Sequence, residues 1–485
     1  MATQLVPYNT AMQLGSGFNS FTQTLCINDA VVREADPTSE SRKYEKEPKP
    51  VAQSVTYKTC IIEKTTDVTD EMNINGAFNI KYDQLQVDGS GKFINTNKIK
   101  DSDVSIMVSV KVVNQVIHDH SLTRFQPIPS LKDASPQELV QIYGDSYISG
   151  WQEGGEFLAI ISIKAKNRDE AQTIAAEAKI AFTRTKDPET EPEKKDANAK
   201  VDVSFNKLKK NLTAENEVSV SVTWTGGGQK LKDQEKDWDF DTMRDVALKF
   251  PDLCAETPMR THALLTKYTA LRSFHMTQPF KLPMYDKTGT YTNVLQEAYL
   301  DFKSILSSLQ VLSFDVSEGT KALVQNPRAP TAIDQTKGIY EKTTNENSDE
   351  PAKGTPSSSP PDSVENNNTD ITNVIATVPP QLAEPSPLVV TGAFPATIAG
   401  LEEARVKCRY MMNRIIQEID NITVNPEIAN DENRVLPYQS PFLFKLLLPL
   451  GVEVPAAASQ AAQAVAASKV DSEAWASKFL GVGDK

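Results

Sequence analysis

The sequence predicts an α+β protein, and three observations support that class. Long segments rich in Val, Ile, Thr and Tyr are typical of β-strands, and four of them occur, at residues 54–65, 103–120, 147–165 and 217–228. Helical patterns follow the fourth segment, where apolar residues recur at helical spacing at Leu295, Phe302, Ile305 and Leu309. From about residue 331 to 387 the composition shifts to Asn, Thr, Ser, Pro and Glu, which is typical of a disordered linker.

These patterns divide the 485 residues into three predicted parts. Residues 10–330 form the strand-bearing domain, residues 331–388 a disordered linker, and residues 389–485 a mainly helical C-terminal region of unknown role. One helix of that region is predicted from an apolar stripe made of Leu401, Met411, Met412, Ile415, Ile416 and Ile419. A second is predicted from the alanine-rich run at residues 456–470.

Two polar insertions separate the strands, the first at about residues 65–102 and the second at about 166–216. In insertion one, apolar and polar residues alternate; the apolar set is Met72, Ile74, Phe78, Ile80 and Tyr82. Alternation gives a strand one apolar and one polar face, so this segment predicts an amphipathic hairpin. Two interpretations stay open: a half-buried surface hairpin, or a hairpin that spans a membrane, where strands of about 9 to 11 alternating residues face lipid on one side.

Insertion two suits two conformations. Ile174, Ile180 and Phe182 share one face of an extended strand, together with Ala176 and Ala178. The same run is also a good helix by intrinsic propensity. A segment that changes from a helix in the soluble protein to a strand in a membrane has to show both the helical and the strand spacing of apolar residues, and this one does.

Composition and motifs exclude several functions. A net charge of −13, with no cluster of Lys and Arg, argues against nucleic acid as a partner. The chain has none of the zinc-protease, nucleophile-elbow or dinucleotide motifs, so we expect no enzymatic activity and no cofactor. His118 and His120 place two imidazoles on one side of a strand, but without a third ligand nearby we expect no metal site there.

We also expect a soluble chain that is cytoplasmic or released without a conventional signal peptide. The first 15 residues lack the charged start and unbroken apolar stretch of such a peptide. The longest apolar run, from Phe442, contains a lysine and a proline and is shorter than the roughly 20 residues of a membrane helix.

The stretch YGDSYISGWQEGG, from Tyr143 to Gly155, joins a predicted helix to the third strand. Ser135 and Glu138 make a capping box before that helix, and Gly144 suits its C-terminal cap. Gly154 and Gly155 then interrupt the strand, where glycine marks a bulge, a bend or a close backbone approach.

This stretch resembles the signature of the membrane-attack-complex/perforin (MACPF) family, in the superfamily of pore-forming proteins. The matching residues are Tyr143, Gly144, Tyr147, Gly154 and Gly155. The middle pair differs, because Asp145 and Ser146 stand where the family usually has Thr and His. LGSGFN at residues 14–19 and SVSVTWTGGG at 219–228 are similar to further family segments, and the resemblance covers roughly residues 10–330.

The resemblance implies a bent, twisted four-stranded antiparallel sheet flanked by two helical clusters. Gly154 and Gly155 would sit at the bend, and the clusters would unfurl into the transmembrane hairpins of a ring-shaped β-barrel pore. The implied partners are target-membrane lipid and other copies of the chain, and either a separate membrane-targeting protein or the C-terminal region would select the membrane. A non-lytic binding or assembly protein of the same fold is the alternative, favoured by the charged tip of insertion two at residues 187–200.

Overall fold

The structure is a computed structural model. It describes residues 3–33, 53–82, 99, 102, 104–131, 134–164, 173–174, 217–228, 231, 238–277, 281–329, 392–432, 434 and 437–454. The chain divides into two compact units: unit one is Met1–Leu300 with Ile422–Asn430, and unit two is Asp301–Asn421 with Asp431–Lys485. The first stretch of unit one ends at Leu300, which is earlier than residue 330, the predicted end of the first domain. The predicted linker, 331–388, lies outside the described residues.

Unit one is built on a mixed set of long and short strands. The strands are β1 Gln4–Pro7, β2 Gly17–Asn19, β3 Thr24–Leu25, β4 Val31–Arg33, β5 Ser54–Ile61, β6 Val104–His118, β7 Leu122–Phe125, β8 Ser146–Lys164, β9 Glu217–Thr225 and β10 Met259–Lys267. All four predicted strand segments are found, as β5, β6, β8 and β9. They pair antiparallel in that order, from Ile61 opposite Ile106 to Lys164 opposite Glu217.

The sheet that contains these strands is larger than predicted. Among the described residues it has eight strands, so the expected number of four is wrong. The added strands β1, β2, β3 and β10 are short or lie far along the chain. β10 runs beside the first half of β8, and β1 pairs with β10. Their sequences contain few β-branched residues, so pairing within the sheet rather than local propensity makes them strands. β2 and β10 pair with β8, while β1 pairs with β10 and β3 with β2.

Helices cover both faces of the long strands. In unit one they are α1 Thr65–Glu71, α2 Gly76–Tyr82, α3 Pro136–Tyr143, α4 Phe240–Glu256, α5 Arg272–Met276 and α6 Gly289–Ser317, which continues into unit two. The predicted capping box of α3 is confirmed, because Ser135 Oγ accepts from Glu138 N at 3.2 Å and Glu138 Oε2 accepts from Ser135 N at 2.8 Å.

Alternating strand residues form two separate apolar clusters. The cluster that we call the α4 face contains Val110, Phe157 and Ile161 of the strands, packed with Met243 and Phe250 of α4. The insertion-one face contains Met107, Leu158 and Ile160 of the strands, packed with side chains of α1 and α2. Adjacent strand residues point to opposite faces, so α4 and the described helices of insertion one pack on the same strands without competing for side chains.

Unit two contains helix α7 Ile398–Val424, which overlaps unit one at its last residues, helix α8 Pro441–Leu446, and a small sheet of β11 Lys321–Val324 and β12 Leu450–Glu453. The predicted stripe of α7 is largely buried: Leu401, Met411, Ile415 and Ile419 are 0% exposed. Glu418 is 1% exposed and accepts two hydrogen bonds from Arg434, at 2.5 and 2.6 Å. The predicted alanine-rich helix lies outside the described residues.

Candidate functional site

The glycine pair of β8 marks the place where that strand changes partners. On one edge, β10 pairs up to Gly154, opposite Met259, and β9 begins at Glu156, opposite Thr225. On the other edge β6 runs past both, with a register shift between Val113 and Gln115. We call Gly154 and Gly155 the glycine junction. It joins the long-strand part of the sheet to the short-strand part.

Both glycines allow close approaches that any side chain would block. A Cβ on Gly154, whose φ is +157°, would lie 1.9 Å from the carbonyl oxygen of Val112 on β6. A Cβ on Gly155 would lie 2.2 Å from Cys254 Sγ and 3.0 Å from Phe250 Cζ, both on α4. The sequence indicated a bend or a close approach at this pair, and the structure shows the close approach on both sides.

The signature residues before β8 are buried in one network. Tyr143 is 2% exposed; its hydroxyl accepts from Ile128 N at 2.7 Å, and its carbonyl accepts from the Tyr268 hydroxyl at 2.7 Å. The ring of Tyr147 stacks on Tyr268 at 5.8 Å. Gly144 has a φ of +73°, and a Cβ there would lie 2.1 Å from the carbonyl oxygen of Phe18.

Asp145 departs from the family pattern, and Ser20 accommodates it. The carboxylate accepts from Ser20 N and Ser20 Oγ, each at 2.6 Å. Burial raises the pKa of Asp145, while the two Ser20 hydrogen bonds oppose that rise. Ser20 directly follows the LGSGFN segment, so the two stretches that resemble the family meet here. This partnership was not predicted from the sequence, because nothing local links residues 125 positions apart.

In the described stretch of insertion one, residues 65–82, the chain forms helices α1 and α2. The interpretation as a half-buried surface hairpin is therefore wrong for the described residues. Met72, Ile74 and Ile80 are buried and Phe78 is half-buried, all in the insertion-one face. Tyr82 ends α2, and its side chain is outside the described set.

Short-range polar signals explain why the alternating segment folds as a helix. Asn75 Oδ1 accepts from Ala77 N at 3.0 Å, which caps the first turn of α2. Asn73 adopts a φ of +55°, a conformation that Asn tolerates better than most residues, and so separates α1 from α2. Ala77 and Ile80, three positions apart, then face the core. The run N-x-N-G could have indicated this helix start.

A carboxylate fixes the end of α1 to the strands. Glu71 Oε2 lies 2.7 Å from Lys58 Nζ of β5, and Glu71 Oε1 lies 3.2 Å from Lys111 Nζ and 2.8 Å from Ser109 Oγ of β6. Burial raises the pKa of Glu71, but the hydrogen bond from Lys58 and the charge of Lys111 outweigh burial and lower it. The Glu71 hydrogen bond in turn raises the pKa of Lys58.

Further polar contacts hold insertion one against α6 and β10. Thr66 Oγ1 donates to Glu297 Oε1 at 3.0 Å, and Gln296 Nε2 donates to Thr69 Oγ1 at 3.2 Å. In the α1–α2 loop, Asn73 Nδ2 lies 2.9 Å from His262 Nε2.

One buried polar group of insertion one has no such contact. Asn79 is 4% exposed, and its Nδ2 has no hydrogen-bond partner among the residues that the structure describes.

Insertion two is described only at residues 173–174. Ile174 is 1% exposed and belongs to the α4 face, opposite the face that insertion one covers. The predicted sites Ile180 and Phe182 lie outside the described residues.

The described residues show neither a metal cluster nor a helical membrane span. No three His, Cys, Asp or Glu side chains in the described ranges are grouped so as to hold a metal ion. No helix in those ranges is long and apolar enough to cross a membrane.

Comparisons with known proteins gave structural likenesses only. No family model matches the chain, and no curated protein sequence matches it. Stonustoxin is similar at 9% identity and a TM-score of 0.32, over 65% of this chain and 38% of that one. The human-specific toxin intermedilysin is similar at 13% identity and a TM-score of 0.24, over 54% of this chain and 50% of that one.

A cell-invasion protein with a MAC/perforin domain from Bacteroides thetaiotaomicron is similar at 15% identity and a TM-score of 0.21, over 46% of this chain and 49% of that one. This chain thus spans half or less of each of these three structures. At such TM-scores they say nothing of activity, which has to be inferred from the geometry of the chain itself.

Proposed function

We propose that this protein forms rings on a target membrane and opens a pore by refolding insertions one and two into membrane-spanning β-hairpins. One observation carries the proposal. Apolar residues of insertion one recur at every second position, as in a strand, although the described residues are helical. As a strand, residues 72–82 would place all five predicted apolar side chains on one face. In the folded state, where residues 76–82 form helix α2, the Asn79 amide is buried without a described partner for Nδ2, at a cost of about 1–3 kcal/mol.

The strands on either side of insertion one support an extended state. β5 ends at Ile61 opposite Ile106, and insertion one fills the chain between these two strands. An extended insertion would continue a ladder whose register is already fixed. The alternating stretch of about 11 residues is long enough for a tilted strand to cross the hydrocarbon core of a bilayer.

The contacts that store insertion one are suited to release. Its links to α6 and β10 are hydrogen bonds between polar side chains, which water replaces at small net cost. Its apolar contacts with Met107, Leu158 and Ile160 would be exchanged for contacts with lipid.

Two strand edges are available for side-by-side assembly of several copies of the chain. Among the described residues β5 pairs only with β6, and β9 only with β8, so each long strand at the rim has one open edge. Open edges are templates for pairing with another chain, here a second copy. In the alternative function, a non-lytic binding or assembly protein, the rings would form while insertion one stays helical.

A disulfide between α2 and α6 tests the proposal. A Cβ on Gly76 would lie 3.1 Å from Thr292 Cγ2, so cysteines at these two positions are close enough to bond. Oxidised Gly76→Cys/Thr292→Cys should bind liposomes without releasing an enclosed dye, and reduction should restore release. Each single-cysteine variant, oxidised in the same way, is the matched control. Equal dye release by the locked and reduced double variant would refute refolding of insertion one, and rings without release in the reduced protein would favour the alternative.

A further inference from the structure

Two imidazoles meet at the turn between β6 and β7. His118 is the last residue of β6, and His120 lies in the turn that follows. Their Nδ1 atoms are 3.1 Å apart, and their ring centroids are 4.4 Å apart with 48° between the planes. Both rings are accessible to solvent at this end of the strand.

Asp119 holds the turn between the two histidines, and its carboxylate is bonded to other residues and so is not available to bind a metal ion. Asp119 N donates to Ser149 O at 2.8 Å, and Asp119 Oδ1 accepts from Ser121 N at 3.0 Å. Asp119 Oδ2 accepts from Arg33 at 2.7 Å. These bonds fix the backbone between the two histidines and neutralise the only carboxylate in the turn.

The separation of the two nitrogens fits one metal ion. With metal–nitrogen bonds of about 2.05 Å, a 3.1 Å separation subtends about 98° at the metal. That angle lies between the right angle of octahedral or square-planar sites and the tetrahedral angle. We infer that His118 and His120 chelate one divalent transition-metal ion of the Ni²⁺, Cu²⁺ or Zn²⁺ class through their Nδ1 atoms.

With a metal ion bound through Nδ1, each ring would keep its proton on Nε2, and water would complete the coordination. The expectation of no metal site rested on the lack of a third protein ligand, but a two-histidine chelate does not need one.

Calorimetric titration of the full chain with Zn²⁺ and with Ni²⁺ tests the site. We expect one ion per chain, with affinity reduced about tenfold or more in His118→Gln and in His120→Gln. His275→Gln removes another exposed histidine and Cys60→Ser a half-buried thiol, and both controls should bind as the wild type does. Binding that is absent from the wild type, or unchanged in both His118→Gln and His120→Gln, overturns the inference.

Spectroscopy counts the nitrogens that bind the metal ion, which an affinity measurement does not. The electron paramagnetic resonance spectrum of one equivalent of Cu²⁺ should show coupling to two imidazole nitrogens in the wild type and to one in either single variant. A one-nitrogen pattern in the wild type would contradict chelation by the pair. Thermal melts without metal check that each variant folds as the wild type does.

Discussion

The two faces of the long strands are closed in different ways. On the α4 face, aromatic rings pack directly: Phe157 lies 5.8 Å from Phe250 and 6.0 Å from Trp238, between ring centroids. On the insertion-one face, a smaller apolar cluster is supplemented by the Glu71 ion pairs and by side-chain hydrogen bonds to α6. The difference teaches that one sheet can be covered mainly by packed aromatic rings on one side and by a mixture of apolar and polar contacts on the other.

The largest expected effect comes from the glycine junction, where the α4 face is sealed. Replacing Gly154 and Gly155 together by valine should cost more than about 4 kcal/mol, because the new Cβ atoms would overlap Val112 O and Cys254 Sγ. We expect little folded protein, measured as soluble yield and by urea unfolding. Gly289→Ala is the control, since nothing lies within 4 Å of a Cβ there. Wild-type stability of the double variant would disprove the close approaches.

The next effect compares one phenylalanine from each face. Phe250 is 0% exposed in the α4 face, so Phe250→Ala should lower the free energy of unfolding by about 3–5 kcal/mol. Phe78 is only half-buried in the insertion-one face, so Phe78→Ala should cost less than about 2 kcal/mol. Chemical unfolding of both variants gives the two values. Equal losses would show that the faces are equally well sealed.

Glu71→Gln weakens only the contacts of the insertion-one face. The change removes the carboxylate that Lys58 and Lys111 share and should cost about 1–3 kcal/mol at neutral pH. Because the folded-state pKa of Glu71 is lowered from about 4.5, its stabilisation is complete above that value and disappears as the pH falls through the lower folded-state pKa.

The stability difference between wild type and Glu71→Gln should therefore be largest at neutral pH and shrink below about pH 4.5. Thermal melts over a pH series measure it. If the difference grew on acidification, the ion pairs would not be what holds α1 to the strands.

The smallest expected effect is a gain. Asn79→Leu replaces a buried amide whose Nδ2 has no described partner, and should raise the stability of the helical state by about 1 kcal/mol. The same substitution should slow dye release from liposomes, since it strengthens storage. Asn75→Ala, which removes the cap of α2, should act in the opposite direction by a similar amount. Loss of stability in Asn79→Leu would show that the amide is satisfied after all.

The long strands and the α3 cap were predictable because their signals are local. A β-branched run and the capping box at Ser135 and Glu138 need only neighbouring residues. The four added strands depend on pairing with β8 or with a strand next to it, and the Asp145–Ser20 bond joins positions far apart in sequence. In insertion one, apolar residues do recur at every second position, but the described residues fold as helices. The same sequence fits a strand and a helix, and alternation alone does not decide which of the two forms.

Because β8 is continuous through the glycine junction, the two parts of the sheet share one strand with no loop between them. Mechanical load applied at Ser146 would pass along the backbone to Lys164 without a compliant segment. Its hydrogen bonds to β6, from Gly150 to Ile163, would then bear that load in shear, all together. Those to the short β2, at Ser146 and Tyr147, are few and would break early. Stretched end to end, β8 would lose β2 well before it loses β6.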